Sequence, residues 1–201
     1  GRQMMAHFRN GQLVAIFAVG FGVLFNFIAT FTFISFRLAA APYNLSATWL
    51  GVLFVTYLAG SVLTPWTGWA VSRFGRRRFM LRVIAVWIAG AALMLASPLP
   101  LIILGLTLCA ACGLICQAVS TASVTITAKA GRSSAVGLYV TSFYAGGSFG
   151  AALGGVAWTY GGWSACVALV AGMLVIMAGI VLFGWTPRVP TGPDTPAVEP
   201  P

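Results

Sequence analysis

The stretch Gly68-Trp69-Ala70-Val71-Ser72-Arg73-Phe74-Gly75-Arg76-Arg77-Arg78 sets the reading of the whole chain. An apolar run ends, a glycine suited to a left-handed turn follows, and arginines crowd around it. The same alternation recurs outward in both directions. Between Gln12 and Trp185 every charged side chain falls at a break between long apolar runs, and none is acidic. A water-soluble domain scatters charge over its surface. Hydrocarbon expels it to the boundary, because a charge at mid-bilayer costs roughly 3 kcal/mol or more. Only 6% of the residues are charged, against about 25% in an ordinary soluble domain, so the chain reads as an all-α integral membrane protein.

Crossing about 30 Å of hydrocarbon as helix takes roughly 20 apolar residues. This predicts six transmembrane helices in a bundle covering residues 12–185: Gln12 to Phe36, Ala47 to Val71, Phe79 to Ala96, Leu101 to Thr127, Ser134 to Trp158 and Trp163 to Trp185. Pro98 and Pro100 force a tight turn between the third and fourth. Residues 1–11 form an N-terminal cytoplasmic segment or linker. Residues 186–201 are proline-rich, hold the only acids, Asp194 and Glu199, and read as a disordered cytoplasmic tail.

Basic loops stay on the cytoplasmic side. Of the 11 lysines and arginines, all but Arg37 fall on one side: Arg2 and Arg9, then Arg73, Arg76, Arg77, Arg78 and Arg82, then Lys129 and Arg132, then Arg188. Both termini are expected on the cytoplasmic side of the membrane. The apolar run after Arg9 is too long for a signal-peptide core, so it stays as a span. The abrupt start Gly1-Arg2-Gln3, with no initiator methionine, suggests a chain that begins partway through a longer protein.

The inventory excludes several functions. A net charge of +9 in a soluble protein would point to nucleic acid, but these cations sit at helix ends and form no basic face. The only histidine is His7 and no span holds an acid, so neither a serine–histidine hydrolase nor a metal–carboxylate enzyme can be assembled; no enzyme and no cofactor is expected. Cys109, Cys112, Cys116 and Cys166 lie in mid-span, where small buried cysteines are common, and predict neither a metal site nor a disulfide.

Charge alone makes the arginine loop a membrane anchor. Its spacing adds more. The segment resembles the cytoplasmic loop signature of the major facilitator superfamily of transporters, Gly-x-x-x-Asp-Arg-x-Gly-Arg-Arg, with Gly68, Arg73, Gly75, Arg76 and Arg77 in register. Ser72 replaces the aspartate, which in that family helps latch neighbouring helices. The signature is typically degraded in the second six-helix half, and the fourth span lacks the arginine expected in the first. The resemblance therefore implies helices seven to twelve, the C-terminal half. It covers essentially all residues from Gln12 to Trp185, helped by Gly51 to Gly60, Val136 to Thr141 and the Gly161-Gly162-Trp163 turn. Within the superfamily the chain resembles bacterial inner-membrane transporters of the YnfM type, grouped with drug and sugar efflux proteins. Implied with it are a lipid bilayer and an N-terminal six-helix half as partners, a small organic solute as cargo, and rocking of one bundle against the other.

In that family the first and fourth helices of each half line the cavity, which makes Asn26, Thr30, Gln117 and Thr121 the substrate-cavity candidates. Asn26 and Thr30, four apart, share one helical face. Each threonine can instead bond back to its own helix. Thr32, Ser120, Tyr139, Thr141, Ser142 and Tyr144 are further polar residues within the spans. Gly146, Gly150 and Gly154 repeat every four residues, forming a smooth face that serves either as static close packing or as a gating seam. Arg37 either attracts an anionic solute or reaches to the interface. Proton coupling would need a titratable group that this half does not hold within its spans. Two functions remain: efflux-type secondary transport by alternating access, and a non-transporting scaffold or regulatory half that pairs with another membrane protein.

Overall fold

Where the chain is apolar for more than one helical turn, its backbone can satisfy its own hydrogen bonds only as helix once water is gone. The computed structural model describes residues 10–128 and 131–185, apart from the side chain of Ala59, and contains no strand among them. Residues 1–9 of the expected N-terminal segment (with Arg2, His7 and Arg9), the tail 186–201 (with Arg188, Asp194 and Glu199) and Lys129 lie outside the described residues, whereas Gly11 already belongs to the first helix.

Helix α1, Gly11–Ala39, starts at Asn10, whose side chain accepts hydrogen bonds from the backbone of Gln12 and Leu13. A helical run Ala47–Phe74 follows, built of α2 (Ala47–Val52), α3 (Thr56–Leu63) and α4 (Thr67–Phe74) joined by single 3₁₀ turns. Pro65 has no N–H to donate and sits in the second of these turns. Gly75, at φ 78°, separates this run from α5, Arg76–Leu93. Helix α6, Leu99–Thr127, begins just after Pro98. The last stretch, α7, Arg132–Gly184, is 53 residues long. Straight, it would measure about 80 Å. At Gly162 the backbone leaves helical geometry (φ 59°, ψ −148°), dividing α7 into limbs of residues 132–161 and 163–184. By length and composition α1, the run Ala47–Phe74, α6 and α7 suffice to cross a membrane.

Several boundaries differ from those read from sequence. The third span begins at Arg76, so Arg76, Arg77 and Arg78 belong to the helix and not to the loop before it. Side chains long enough to reach the interface do not have to end a helix. The expected turn Thr159 to Gly162 shrinks to the one glycine that can adopt its dihedrals.

Helix α1 is the axis of the fold, with 16 of its 29 residues buried and its most extensive contacts made with α7. Close approach is possible because Gly146 and Gly150 face the backbone of Phe21 and Phe25, while Gly154 faces the Phe33 ring. Helices α5 and α6 meet likewise at Gly90 and Gly105: a Cβ on Gly105 would lie 2.6 Å from the Gly90 carbonyl oxygen. The run Ala47–Phe74 sits at the edge, with only Gly60 and Thr67 buried among its described side chains.

One end of the bundle is clasped by polar groups. Arg37, at the end of α1, donates to the carbonyls of Met94 (2.7 Å) and Ala96 (3.1 Å). Trp163 Nε1 donates to the same Met94 carbonyl at 2.9 Å, and Tyr43 donates its hydroxyl hydrogen to Ser97 O at 2.6 Å. The guanidinium also lies 5.9 Å from the Tyr43 ring and 5.7 Å from that of Trp163. Carbonyls at the C-terminus of α5 have no partners within their own helix. Arg37 supplies them, a role neither sequence reading of that residue anticipated.

Candidate solute groove

Helices α3 and α6 touch where Gly60 lets them. A Cβ there would fall 2.6 Å from Leu114 Cδ1 and 3.0 Å from Ala111 Cα. On either side of that contact the two helices leave space. Toward the Arg37 end lies an apolar groove of about 590 Å³, lined by Trp49, Val52, Leu53, Leu99 and Ile103 among others. Toward the Gly75 end lies a polar one of about 710 Å³, lined by Ser61, Thr64, Leu114, Gln117, Ala118, Thr121, Ala122 and Thr125. Residues four apart share a helical face, so Gln117, Thr121 and Thr125 form one row on α6 opposite Ser61 and Thr64.

The chemistry of this polar groove follows from where its protons go. Thr64 donates to Gly60 O (2.7 Å), Ser61 to Tyr57 O (3.3 Å), Thr121 to Gln117 O (2.9 Å) and Thr125 to Ala122 O (2.8 Å). Each hydroxyl hydrogen is thereby spent on the helix, leaving the oxygen as an acceptor. Gln117 adds a carboxamide, half-buried, with both donor and acceptor capacity. No charged side chain lines the groove. Such a surface can offer a neighbouring molecule hydrogen bonds and shape, without an ion pair.

The structure brings Gln117 and Thr121 together in this groove and places Asn26 and Thr30 elsewhere. Asn26 is fully buried within the bundle, where its Nδ2 donates to Met177 Sδ at 3.3 Å. Thr30, 2% exposed, packs near Ala91, Trp163 and Cys166. Sharing a face does not say which way that face points; α1 is enclosed on nearly all sides, so its polar pair turns inward. Ser61, Thr64 and Thr125 were missed. Thr125 continued the four-residue spacing of Gln117 and Thr121 and was findable; Ser61 and Thr64 needed the pairing of α3 with α6.

Of the remaining residues singled out in sequence, Gly146, Gly150 and Gly154 lie against α1. Ser142 donates to Phe17 O (2.9 Å), adding a polar link along that contact. Tyr139 is buried against Gly20. In the arginine loop, Gly68 is open and Ser72, at the signature's aspartate position, donates to Trp69 O of its own helix (2.7 Å). Arg73 is exposed, whereas Arg76 and Arg77 are half-buried. All four cysteines are buried free thiols, and no group of three or more metal-ligating side chains is assembled among the described residues.

The family model of the Major Facilitator Superfamily matches residues 13–201. The chain belongs to that superfamily. It is 35% identical to the inner membrane transport protein YnfM of Escherichia coli (strain K12) over 170 residues, which are 85% of this chain and 41% of YnfM. It is 27% identical to an uncharacterized MFS-type transporter, YybF, of Bacillus subtilis (strain 168), over 96% of this chain and 48% of YybF. An uncharacterized transporter of Buchnera aphidicola subsp. Schizaphis graminum is 29% identical over 78% of this chain and 38% of that protein. The chain thus spans less than half the length of these relatives. No solved structure matches the chain at a significant level. Membership of a superfamily of membrane transporters accords with the helices long and apolar enough to span a bilayer.

Proposed function

We propose that this chain forms the C-terminal six-helix half of a secondary transporter that exports small organic solutes by alternating access. The observation that carries the reading is the chargeless groove of Ser61, Thr64, Gln117, Thr121 and Thr125 in a chain of this superfamily. In this reading α1, the run Ala47–Phe74, α5, α6 and the two limbs of α7 each cross the inner membrane, with both termini in the cytoplasm. The groove faces an N-terminal half, and solute occupies the space between them. A wall of hydroxyl acceptors and one carboxamide suits uncharged or donor-bearing solutes and disfavours anions. Arg73, Gly75, Arg76 and Arg77 hold the cytoplasmic edge without the ionic latch an aspartate would supply at position 72. Gly146, Gly150 and Gly154 keep α1 and α7 together as one moving body.

Transport by the full-length parent in proteoliposomes tests this, using labelled monosaccharides and lipophilic amines as probes. Gln117→Ala combined with Thr121→Val removes two solute contacts, worth about 1 kcal/mol each, so transport efficiency is expected to fall about tenfold or more. An unchanged rate would refute the groove assignment. A parent that assembles with a six-helix partner yet moves no probe would return the scaffold reading.

A further inference from the structure

We propose that the pocket between Phe74, Gly75, Arg77, Arg78, Leu81 and Leu182 binds the phosphate headgroup of an anionic phospholipid. The pocket measures about 540 Å³ and its lining combines two chemistries, the guanidinium groups of Arg77 and Arg78 with an apolar wall from Phe74, Leu81 and Leu182. Arg82 lies over the Phe74 ring at 4.7 Å.

Charge balance asks for an anion. Arg73, Arg76, Arg77, Arg78 and Arg82 lie within ten residues of one another, and the described residues contain no Asp or Glu to offset them. They cannot be explained as helix-stabilising, since α5 opens with three arginines where the helix dipole favours acids. The two acids of the chain, Asp194 and Glu199, share their segment with Arg188, a net charge of −1 against five arginines.

The apolar wall then selects the source of the anion. A free phosphate would use the guanidinium rim and leave Phe74, Leu81 and Leu182 uncovered. A phospholipid satisfies both, its phosphate on the bidentate guanidinium donors and its acyl chain along the leucines. Leu182 is also three residues before Trp185, where the last apolar run ends, which puts the pocket at headgroup depth.

Native mass spectrometry of the full chain in neutral detergent tests the proposal, with phosphatidylglycerol or phosphatidylcholine of identical acyl chains added. Phosphatidylglycerol is expected to be retained in preference, and Arg77→Gln with Arg78→Gln to weaken its binding about 30-fold. Arg73→Gln, outside the pocket, should keep the preference. Leu182→Gln gives a second reading if the double variant fails to fold: it leaves every charge in place and should still lower phosphatidylglycerol retention. Equal retention of the two lipids would overturn the proposal, as would an undiminished preference in the double variant or undiminished phosphatidylglycerol retention in Leu182→Gln. Displacement of lipid by millimolar inorganic phosphate would assign the site to a free anion instead. A rise in phosphatidylglycerol binding on removing residues 186–201 would identify the tail as the occupant and sink the lipid reading.

Discussion

Gly150→Ala probes the close approach of α7 to the α1 backbone. A Cβ at position 150 would lie 2.9 Å from Phe25 Cα and 3.0 Å from its carbonyl carbon, and closer still to the carbonyl oxygen. Carbon pairs reach their optimum at about 3.5–4.0 Å, so α1 and α7 must part by roughly 0.6 Å. Backbone atoms cannot turn aside as a side chain would. A gap of that size forfeits about a quarter or more of each contact's attraction, and overpacked sites typically cost about 1–3 kcal/mol. We expect a loss of about 2 kcal/mol, a fall in Tm of about 4–8 °C for a chain of this size. Thermal unfolding followed by circular dichroism in mild detergent measures it. Gly179→Ala is the matched control: nothing lies within 4 Å of its Cβ, and alanine's better helix propensity should leave stability unchanged or raise it by up to about 1 kcal/mol. If Gly150→Ala and Gly179→Ala behaved alike, the close-contact account of the glycine face would be wrong.

Other substitutions probe different links. Arg37→Gln removes two charge-assisted hydrogen bonds to the end of α5 and should cost about 2 kcal/mol; Arg37→Lys, which lacks the planar fork, should recover only part of it. The same thermal assay reads both, and an unaffected Arg37→Gln would mean the side chain serves only the interface. Gly162→Ala forces a Cβ into dihedrals that essentially only glycine adopts, so it should destabilise by about 1–3 kcal/mol. Spin labels at Thr159 and Ser164 would report whether the kink opens, and an unchanged distance with unchanged Tm would contradict the backbone argument. Asn26→Leu replaces an amide whose Oδ1 has no partner among the described residues. It should leave solute transport intact if the site lies at Gln117, whereas abolished transport in a stably folded variant would return Asn26 to the solute path.

Hydropathy made the helical segments legible because expulsion of charge from hydrocarbon is a large and local effect, visible one residue at a time. It misplaced the start of α5 for the same reason. Arginine scores as a boundary wherever it occurs, although its long side chain can leave the bilayer while its backbone stays helical. The arginine loop carried the family through spacing alone. Half of the groove was readable, since Gln117 and Thr121 announce a polar row on α6. The other half was not, because Ser61 and Thr64 become neighbours of that row only through the close passage at Gly60. Asn26 shows the limit from the opposite side: its polarity suggested a cavity, and the enclosure of α1 turned it toward Met177. Arg37 carried no sequence signal of its partners, which are backbone carbonyls 57 and 59 positions away.

The run Ala47–Phe74 is held on one side, by its contact with α6 at Gly60, by Leu50, Leu53 and Val71 against the core, and by an aromatic group in which Tyr57 meets Phe27 and Phe31. Its two 3₁₀ turns interrupt regular hydrogen bonding, while α1 is held from several directions. When the bundle comes apart, this stretch should detach first and α1 last, so amide protons along residues 47–74 would trade with solvent well before those of the axis.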